Sequence, residues 1–164
     1  METAARVASG DDLAVLARLA QDAVDELRPT RGGDIWSRRE GRALPADDEL
    51  ARLLVDPDAL VVAGCVDDTV VGYAVVRREV LRDGTAIAVI DDLYTTAAAR
   101  GVAVGEAMMD LVVAWATARG CAGIDALALP GNRATKNFFE TFGLVARAIV
   151  VHRPLGDPPA DPAG

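Results

Sequence analysis

The six residues Arg100-Gly101-Val102-Ala103-Val104-Gly105 carry the most legible chemistry in this chain. Small residues there feed the start of a long apolar helix, where main-chain N–H groups lack intrahelical partners and the helix dipole adds partial positive charge. Such a terminus binds an anionic group, a phosphate above all. Gly101 lets a phosphate approach the main chain, and Arg100 supplies a fixed cation. Just upstream, Ile90-Asp91-Asp92-Leu93-Tyr94-Thr95 ends an apolar strand with two adjacent carboxylates. There is no Gly-x-Gly-x-x-Gly after an N-terminal strand and no Gly-Lys-Ser/Thr loop, so the commoner nucleotide loops compete poorly.

Elements must position these groups, and apolar periodicity with turn residues predicts them. Arg6-Val7-Ala8 is a short strand. Ser9 or Asp11 then caps a helix through Leu13, Leu16, Leu19, Ala20, Val24 and Leu27, which Pro29 stops. Thr30 to Arg42 is polar, basic and glycine-bearing, and reads as loop or frayed helix. A short helix fits Ala46 to Leu54. Three strands follow, Leu60–Val66, Val70–Glu79 and Thr85–Tyr94, joined by tight turns at Asp67-Asp68 and Arg82-Asp83-Gly84. A helix from Val104 to Arg119 ends at Gly120, and Ala122 to Leu129 is a fifth strand. Pro130-Gly131-Asn132 opens a helix through Phe142, and Leu144 to Arg153 reads as a last strand closing the sheet. Residues 1–153 form one domain, and the Pro-, Asp- and Gly-rich tail Pro154 to Gly164 reads as disordered.

Composition narrows the function classes. The chain has 164 residues, half of them hydrophobic, and a net charge of -8. That balance argues against bulk binding to nucleic acid or to an anionic membrane surface, so an anionic cofactor must be held by local geometry. Cys65 and Cys121 fall in different apolar strands without a metal-ligand spacing, and read as buried free thiols with no metal site. No signal core or membrane-length apolar run is present, which predicts a cytoplasmic protein.

Two motifs together carry a resemblance. Arg100-x-x-Ala103-x-Gly105 is similar to the pyrophosphate loop of the GNAT superfamily of N-acetyltransferases, Gln/Arg-x-x-Gly-x-Gly/Ala. At the expected distance, Asn132-Arg133-Ala134-Thr135-Lys136-Asn137-Phe138-Phe139-Glu140-Thr141-Phe142-Gly143-Leu144 resembles the Asn-x-x-Ala-x-x-x-Tyr-Glu-x-x-Gly-Phe helix of that superfamily. The order β-α-α-β-β-β-α-β-α-β matches as well. The resemblance implies an α+β fold, with a central mixed, mostly antiparallel sheet of six to seven strands flanked by four helices. Its parallel strands splay apart at the acetyl-coenzyme A site. It implies acetyl transfer from that cosubstrate to a primary amine of a small molecule such as an amino acid derivative, polyamine or antibiotic. A non-catalytic acyl-coenzyme A sensor and a peptide acetyltransferase are the alternatives. A homodimer through the sheet edge is compatible with the fold.

The same resemblance assigns residues. Leu93, Tyr94 and Thr95 would meet the pantetheine arm and thioester. Arg100, Gly101, Val102, Ala103, Val104, Gly105 and Glu106 would hold the diphosphate, with Asn132, Lys136 and Phe139 completing the cofactor site. Ala103 stands where the superfamily has a glycine, a departure that is mild provided its φ is negative. Phe139 stands where a tyrosine often protonates the leaving thiolate, so that acid is missing from its usual place. A carboxylate would take the proton of the acceptor ammonium. Strand alternation sends Asp91 and Asp92 to opposite faces, with Asp91 favoured as base and Asp92 as an ammonium-binding or structural group. A strand bulge would reverse the choice. Trp36, Arg39 and Tyr73 are candidates for the acceptor wall, with Arg38, Arg42 and Arg77 beside them. His152, the one histidine, reads as structural.

Overall fold

The computed structural model describes residues 1–156. Five strands form one sheet in the order β1-β2-β3-β4-β5: β1 Thr3–Val7, β2 Ala59–Val66, β3 Thr69–Val80, β4 Ala86–Thr95 and β5 Ile124–Ala126. The first four pair antiparallel, and β5 joins β4 in parallel. Helices α1 Leu13–Leu27, α2 Gly33–Arg38 and α3 Asp47–Leu54 precede β2, α4 Val104–Ala118 crosses from β4 to β5, and α5 Arg133–Thr141 follows.

Period-2 alternation places a core on each face of the sheet. Leu60, Val62, Ala74, Val76, Ala88 and Ile90 pack under α4 with Met108, Met109 and Val112. Val61, Ala63, Tyr73 and Val75 pack on the other face against Leu16, Leu19 and Leu50 of α1 and α3. The start of α1 is pinned by Asp12, whose carboxylate accepts from Ser9 N–H at 2.8 Å and takes both arms of Arg6 at 2.7 and 2.9 Å. Of the two expected caps, Ser9 is the N-cap residue, of a 3₁₀ turn at Gly10–Asp12 that precedes the helix, and the acid that answers it is Asp12 and not Asp11.

The α4 start is set by two glycines. Gly64 and Gly72 are cross-strand partners. A Cβ on Gly64 would lie 2.6 Å from Val104 Cγ1, and one on Gly72 would lie 3.1 Å from Met108 Cε. Without side chains there, the first two turns of α4 lie directly on the sheet.

Several expectations are corrected. Among the described residues the sheet has five strands, not six or seven, and there are five α-helices in place of four. Thr30–Arg42 contains a true helix, α2, between two loops. The fifth strand is only three residues long, since beyond Ala126 it diverges from β4. Cys65 is buried in β2, but Cys121 lies in the turn before β5; neither is bonded to another cysteine. Leu144–Arg153 has strand-forming residues yet forms no ladder, and every residue from Val145 to Gly156 is exposed. Propensity alone makes no strand, because a strand is stabilised by its neighbour. Most of the tail, residues 157–164, lies outside the described residues.

Candidate active site

Two features of β4 create the site. The first is its parting from β5. The strands pair at Ala88 with Ile124, Val89 with Asp125 and Ile90 with Ala126, and no further. Asp91 to Thr95 continue alone on that side. Thr96 N–H donates to Val71 O of β3 at 2.9 Å. Because alternate main-chain groups of a strand point to opposite edges, the N–H groups of Leu93 and Thr95 point into the opened wedge.

The second is a bulge. Val76 pairs with Ile90, but its neighbour Val75 pairs with Asp92, so Asp91 is the extra residue. A bulge disturbs the period of two and re-aims side chains. Ile90 faces α4, and Asp92 is turned to the α1–α3 side with Val75, where plain alternation would have put it back under α4. The expectation that the carboxylates part to opposite faces therefore fails. Both are served by the segment between α2 and α3: Asp92 bonds Arg42, and Asp91 lines a pocket with Arg42 and Glu49.

Their environments differ. The Asp92 side chain is 7% exposed and fully engaged. It accepts from Tyr73 Oη at 2.7 Å, from Arg42 Nε at 3.2 Å, and from Arg42 Nη2 in a very short contact. Arg42, itself buried, also donates to Glu49 of α3. Burial and the adjoining carboxylate push the Tyr73 phenol well above its usual range, so it remains a donor. Tyr73 is thus a buried strut beneath Asp92, which corrects its place in an acceptor wall. Asp91 is less enclosed, with 29% of its side chain exposed. It accepts from Arg77 Nε at 3.0 Å. Burial raises its carboxyl above the ordinary aspartate value, with Arg77 opposing and Asp92 adding to the rise. It opens onto a pocket of about 260 Å³ shared with Arg39, Glu40, Gly41, Arg42, Ala43 and Glu49. Arg39 is in that wall, ion-paired to Glu40 at 2.7 Å. Trp36 is not; its ring lies under Gly41 and supports the loop.

On the opened side of β4 lies a larger cavity, about 430 Å³. It gathers Leu93, Tyr94 and Thr95 of β4, Arg100, Gly101, Ala103, Val104, Gly105 and Glu106 of the loop and first turn of α4, and Asn132 at the head of α5. Ten sequence-assigned residues thus meet in one place. Three others do not line it. Val102 packs toward the core, Lys136 is spent on Glu140 at 2.6 Å, and Phe139 is 6% exposed within the α4 core. The ring lining the cavity is that of Phe138, one residue earlier. Asn132 both lines the cavity and caps α5, its Oδ1 accepting from Thr135 N–H at 3.3 Å.

The loop geometry departs from expectation at Ala103, whose φ is +68°, left-handed, as is that of Gly101 at +83°. A methyl-bearing residue is strained there, by about 1–2 kcal/mol. Gly105 also has a second duty: a Cβ there would lie 3.1 Å from the Phe138 ring, so its bareness allows α5 to close on α4.

Glu26 was not legible as a site residue. It ends the outer side of α1, a position that reads as solvated, yet it meets Arg100 at 2.8 and 2.7 Å. Arg100 also donates from Nε to Thr95 O at 3.0 Å and lies 5.6 Å over the Tyr94 ring. Burial and Glu26 push the Tyr94 phenol up to about 12. Leu27 and Thr30 line the same wall for the same reason: the end of α1 packs beside the diverging strand.

The model of the acetyltransferase (GNAT) family matches residues 20–144, more than half of the chain. The chain belongs to that family. It is an N-acetyltransferase by that membership, and the family's acyl donor is acetyl-coenzyme A. Solved structures similar to it include a tetramutant of the BH1408 protein from Bacillus halodurans, at 20% identity and TM-score 0.77 over 92% of this chain and 99% of that one. AAC(6')-Iy in complex with a bisubstrate analogue, CoA-S-monomethyl-acetylneamine, shares 14% identity and TM-score 0.73 over 96% and 100%. A ribosomal-protein-alanine N-acetyltransferase from Brucella melitensis biovar Abortus 2308 shares 17% and TM-score 0.69 over 93% and 99%. At such identities these similarities speak to fold. No curated protein matches the sequence. Among the described residues, no helix is long and apolar enough to cross a membrane, and no cluster of metal-ligating side chains occurs.

Proposed function

We propose that this acetyltransferase acetylates a primary amine of a small cationic molecule, with Asp91 as the base and the wedge between β4 and β5 holding the thioester. The observation that carries the reading is the two-sidedness of β4 at its bulge. Leu93 and Thr95 present N–H groups to the larger cavity, while Asp91 opens to the pocket on the other side.

The residues divide the work as follows. The N–H groups of Val104, Gly105 and Glu106, in the first turn of α4, face the cofactor diphosphate, and Arg100 adds a cation. A wedge N–H bonds the thioester carbonyl and stabilises the charge that develops there as the amine attacks. Asp91, its carboxyl raised by burial, accepts the ammonium proton directly or through a water. The freed amine adds to the carbonyl carbon, its nitrogen gives up a second proton to water, the C–S bond breaks, and the coenzyme A thiolate leaves. With Phe139 in the core, water protonates that thiolate. Around the acceptor pocket the carboxylates of Glu40, Glu49 and Asp91 outnumber the guanidinium groups of Arg39 and Arg42 by one, a slight negative balance that suits a cationic partner such as a polyamine, an aminoglycoside or an amino acid amide.

Thiol release from acetyl-coenzyme A across a panel of such amines tests this. Turnover well above the blank, lost in Asp91→Asn while coenzyme A affinity is kept, is the expected result. A second reading, an acyl-coenzyme A sensor, is favoured by the ring that α5 presents to the cavity, that of Phe138, which has no hydroxyl to protonate a thiolate. Tight binding of acetyl-coenzyme A without turnover of any amine would select it.

A further inference from the structure

Beyond Ala126 the strands β4 and β5 part, and the end of α1 with the turn that follows it lies across the opening. Glu26, Leu27 and Thr30 line the larger cavity, and so does Gly131 of the loop between β5 and α5. The two loops touch. A Cβ on Gly131 would lie 3.0 Å from Arg31 N and 3.3 Å from Thr30 Cβ, and one on Gly32 would lie 3.5 Å from Pro130 Cδ. The bare Cα at position 131 permits this close approach of two main chains. On the other lip, Glu26 holds Arg100 of the loop that follows β4, at 2.8 Å. The end of α1 therefore reaches both lips of the wedge, over a gap that no strand pairing closes.

The bridge is shut but lightly held. Each loop satisfies its own main chain: Thr30 N–H donates to Leu27 O at 3.0 Å, Gly33 N–H to Thr30 O at 2.8 Å, and Asn132 N–H to Leu129 O at 2.9 Å. Among the described residues, no main-chain hydrogen bond passes between 28–33 and 127–132. The contact is van der Waals packing, each atom pair of which is weak. The ion pair to Arg100 is half-exposed, so it adds little. Gly32, left-handed at φ +83°, and Gly33 beside it give the turn a place to hinge.

We infer that the α1–α2 turn is a gate over the wedge. It swings away from the β5–α5 loop to admit the pantetheine arm and to release coenzyme A, and it closes over the arm for transfer. The inference rests on the wedge holding the thioester and is independent of which amine is acetylated. With the diphosphate at the start of α4 and the thioester between β4 and β5, the arm joining them runs beneath the bridge. A shut gate admits that arm only by end-on threading, whereas an open one lets it be laid in from the side. Closure also keeps water from the thioester until an amine arrives.

The test locks the gate reversibly in the full chain, by Arg31→Cys with Gly131→Cys. A Cβ on Gly131 would lie 3.4 Å from Arg31 Cβ, close to the spacing a disulfide needs. Stopped-flow fluorescence follows acetyl-coenzyme A, which has no free thiol. Oxidised while empty, the protein should take it up on the order of 100-fold more slowly. Oxidised while loaded, it should release it as slowly, and a phosphine reductant should restore both rates. A merely damaged site would instead lose affinity and release faster. Each single-cysteine variant, oxidised alike, should keep wild-type rates. Gly131→Val, which props the loops apart, should release the cofactor faster than wild type. Uptake by the oxidised protein at the reduced protein's rate overturns the gate, because the arm then threads. So does a disulfide that fails to form in a protein that binds the cofactor when reduced. Arg100→Ala separates that failure from failure of the wedge assignment: if it leaves acetyl-coenzyme A affinity intact, the cofactor lies elsewhere and both fall.

Discussion

Arg42 and Asp92 form a fork across 50 positions of sequence, with Nε at 3.2 Å from one carboxylate oxygen and Nη2 on the other. The pair ties the segment between α2 and α3 to the bulged end of β4. Arg42 also holds Glu49, so one guanidinium fixes the loop, α3 and the strand together. Asp92 is thereby consumed in structure, and Asp91 is the carboxylate left facing a pocket. Removing Asp92 should thus harm the frame of the site. Asp92→Asn leaves a buried guanidinium with half its compensation, which typically costs about 3–5 kcal/mol. The expected result is a large fall in denaturation midpoint together with a raised KM for the amine, read by urea unfolding and by steady-state kinetics.

Asp91→Asn should separate chemistry from stability. Loss of the base should lower kcat/KM by about 10²–10⁴-fold, and the loss should shrink at high pH, where free amine is abundant. Stability should move the other way. The folded carboxyl is raised above its unfolded value of 3.8. Folding therefore favours the protonated form, and stability falls as pH rises through the window above 3.8. Asn removes that cost, so the variant should melt higher at neutral pH, with the gain fading near pH 4. Calorimetry at several pH values checks it.

Ala103→Gly should stabilise the protein. A left-handed alanine at φ +68° gives way to a residue that adopts the same conformation freely. The relief of roughly 1 kcal/mol should raise Tm by about 2–4 °C for a chain of this size. Coenzyme A affinity, by titration calorimetry, should hold or improve, since the α4 N–H groups keep their direction.

The Glu26–Arg100 pair sits where the diphosphate is expected, so a carboxylate competes with the cofactor for one cation. Glu26→Gln should free Arg100 and tighten coenzyme A binding. Arg100→Ala should weaken it by about 1.5–3 kcal/mol, the range for a hydrogen bond to a charged group.

Phe139→Tyr should not restore a general acid. The ring lies in the core of α4, away from the cavity lining. A buried hydroxyl without a partner costs about 1–3 kcal/mol. Lower stability with unchanged turnover is expected, measured by thermal melting and thiol release.

The order of elements, apart from α2 and the strand expected after α5, and the loop of small residues before α4 were legible in the sequence, because periodicity, glycine placement and capping are local. Ten of the residues named from motifs line one cavity, and the acidic pair falls at the bulge of β4. Tertiary structure decided the rest. Which carboxylate opens to the pocket depends on a bulge, and a bulge is a mismatch between two strands that neither strand's sequence displays. Tyr73 went to the core and Glu26 to the cavity because of which helix packs over which strand. Phe138 replaced Phe139 at the lining by the rotation of α5 against α4, fixed in part by the bare Cα of Gly105. Leu144–Arg153 has the residues of a strand, but a strand also requires an edge in register, and that is a property of the assembled sheet.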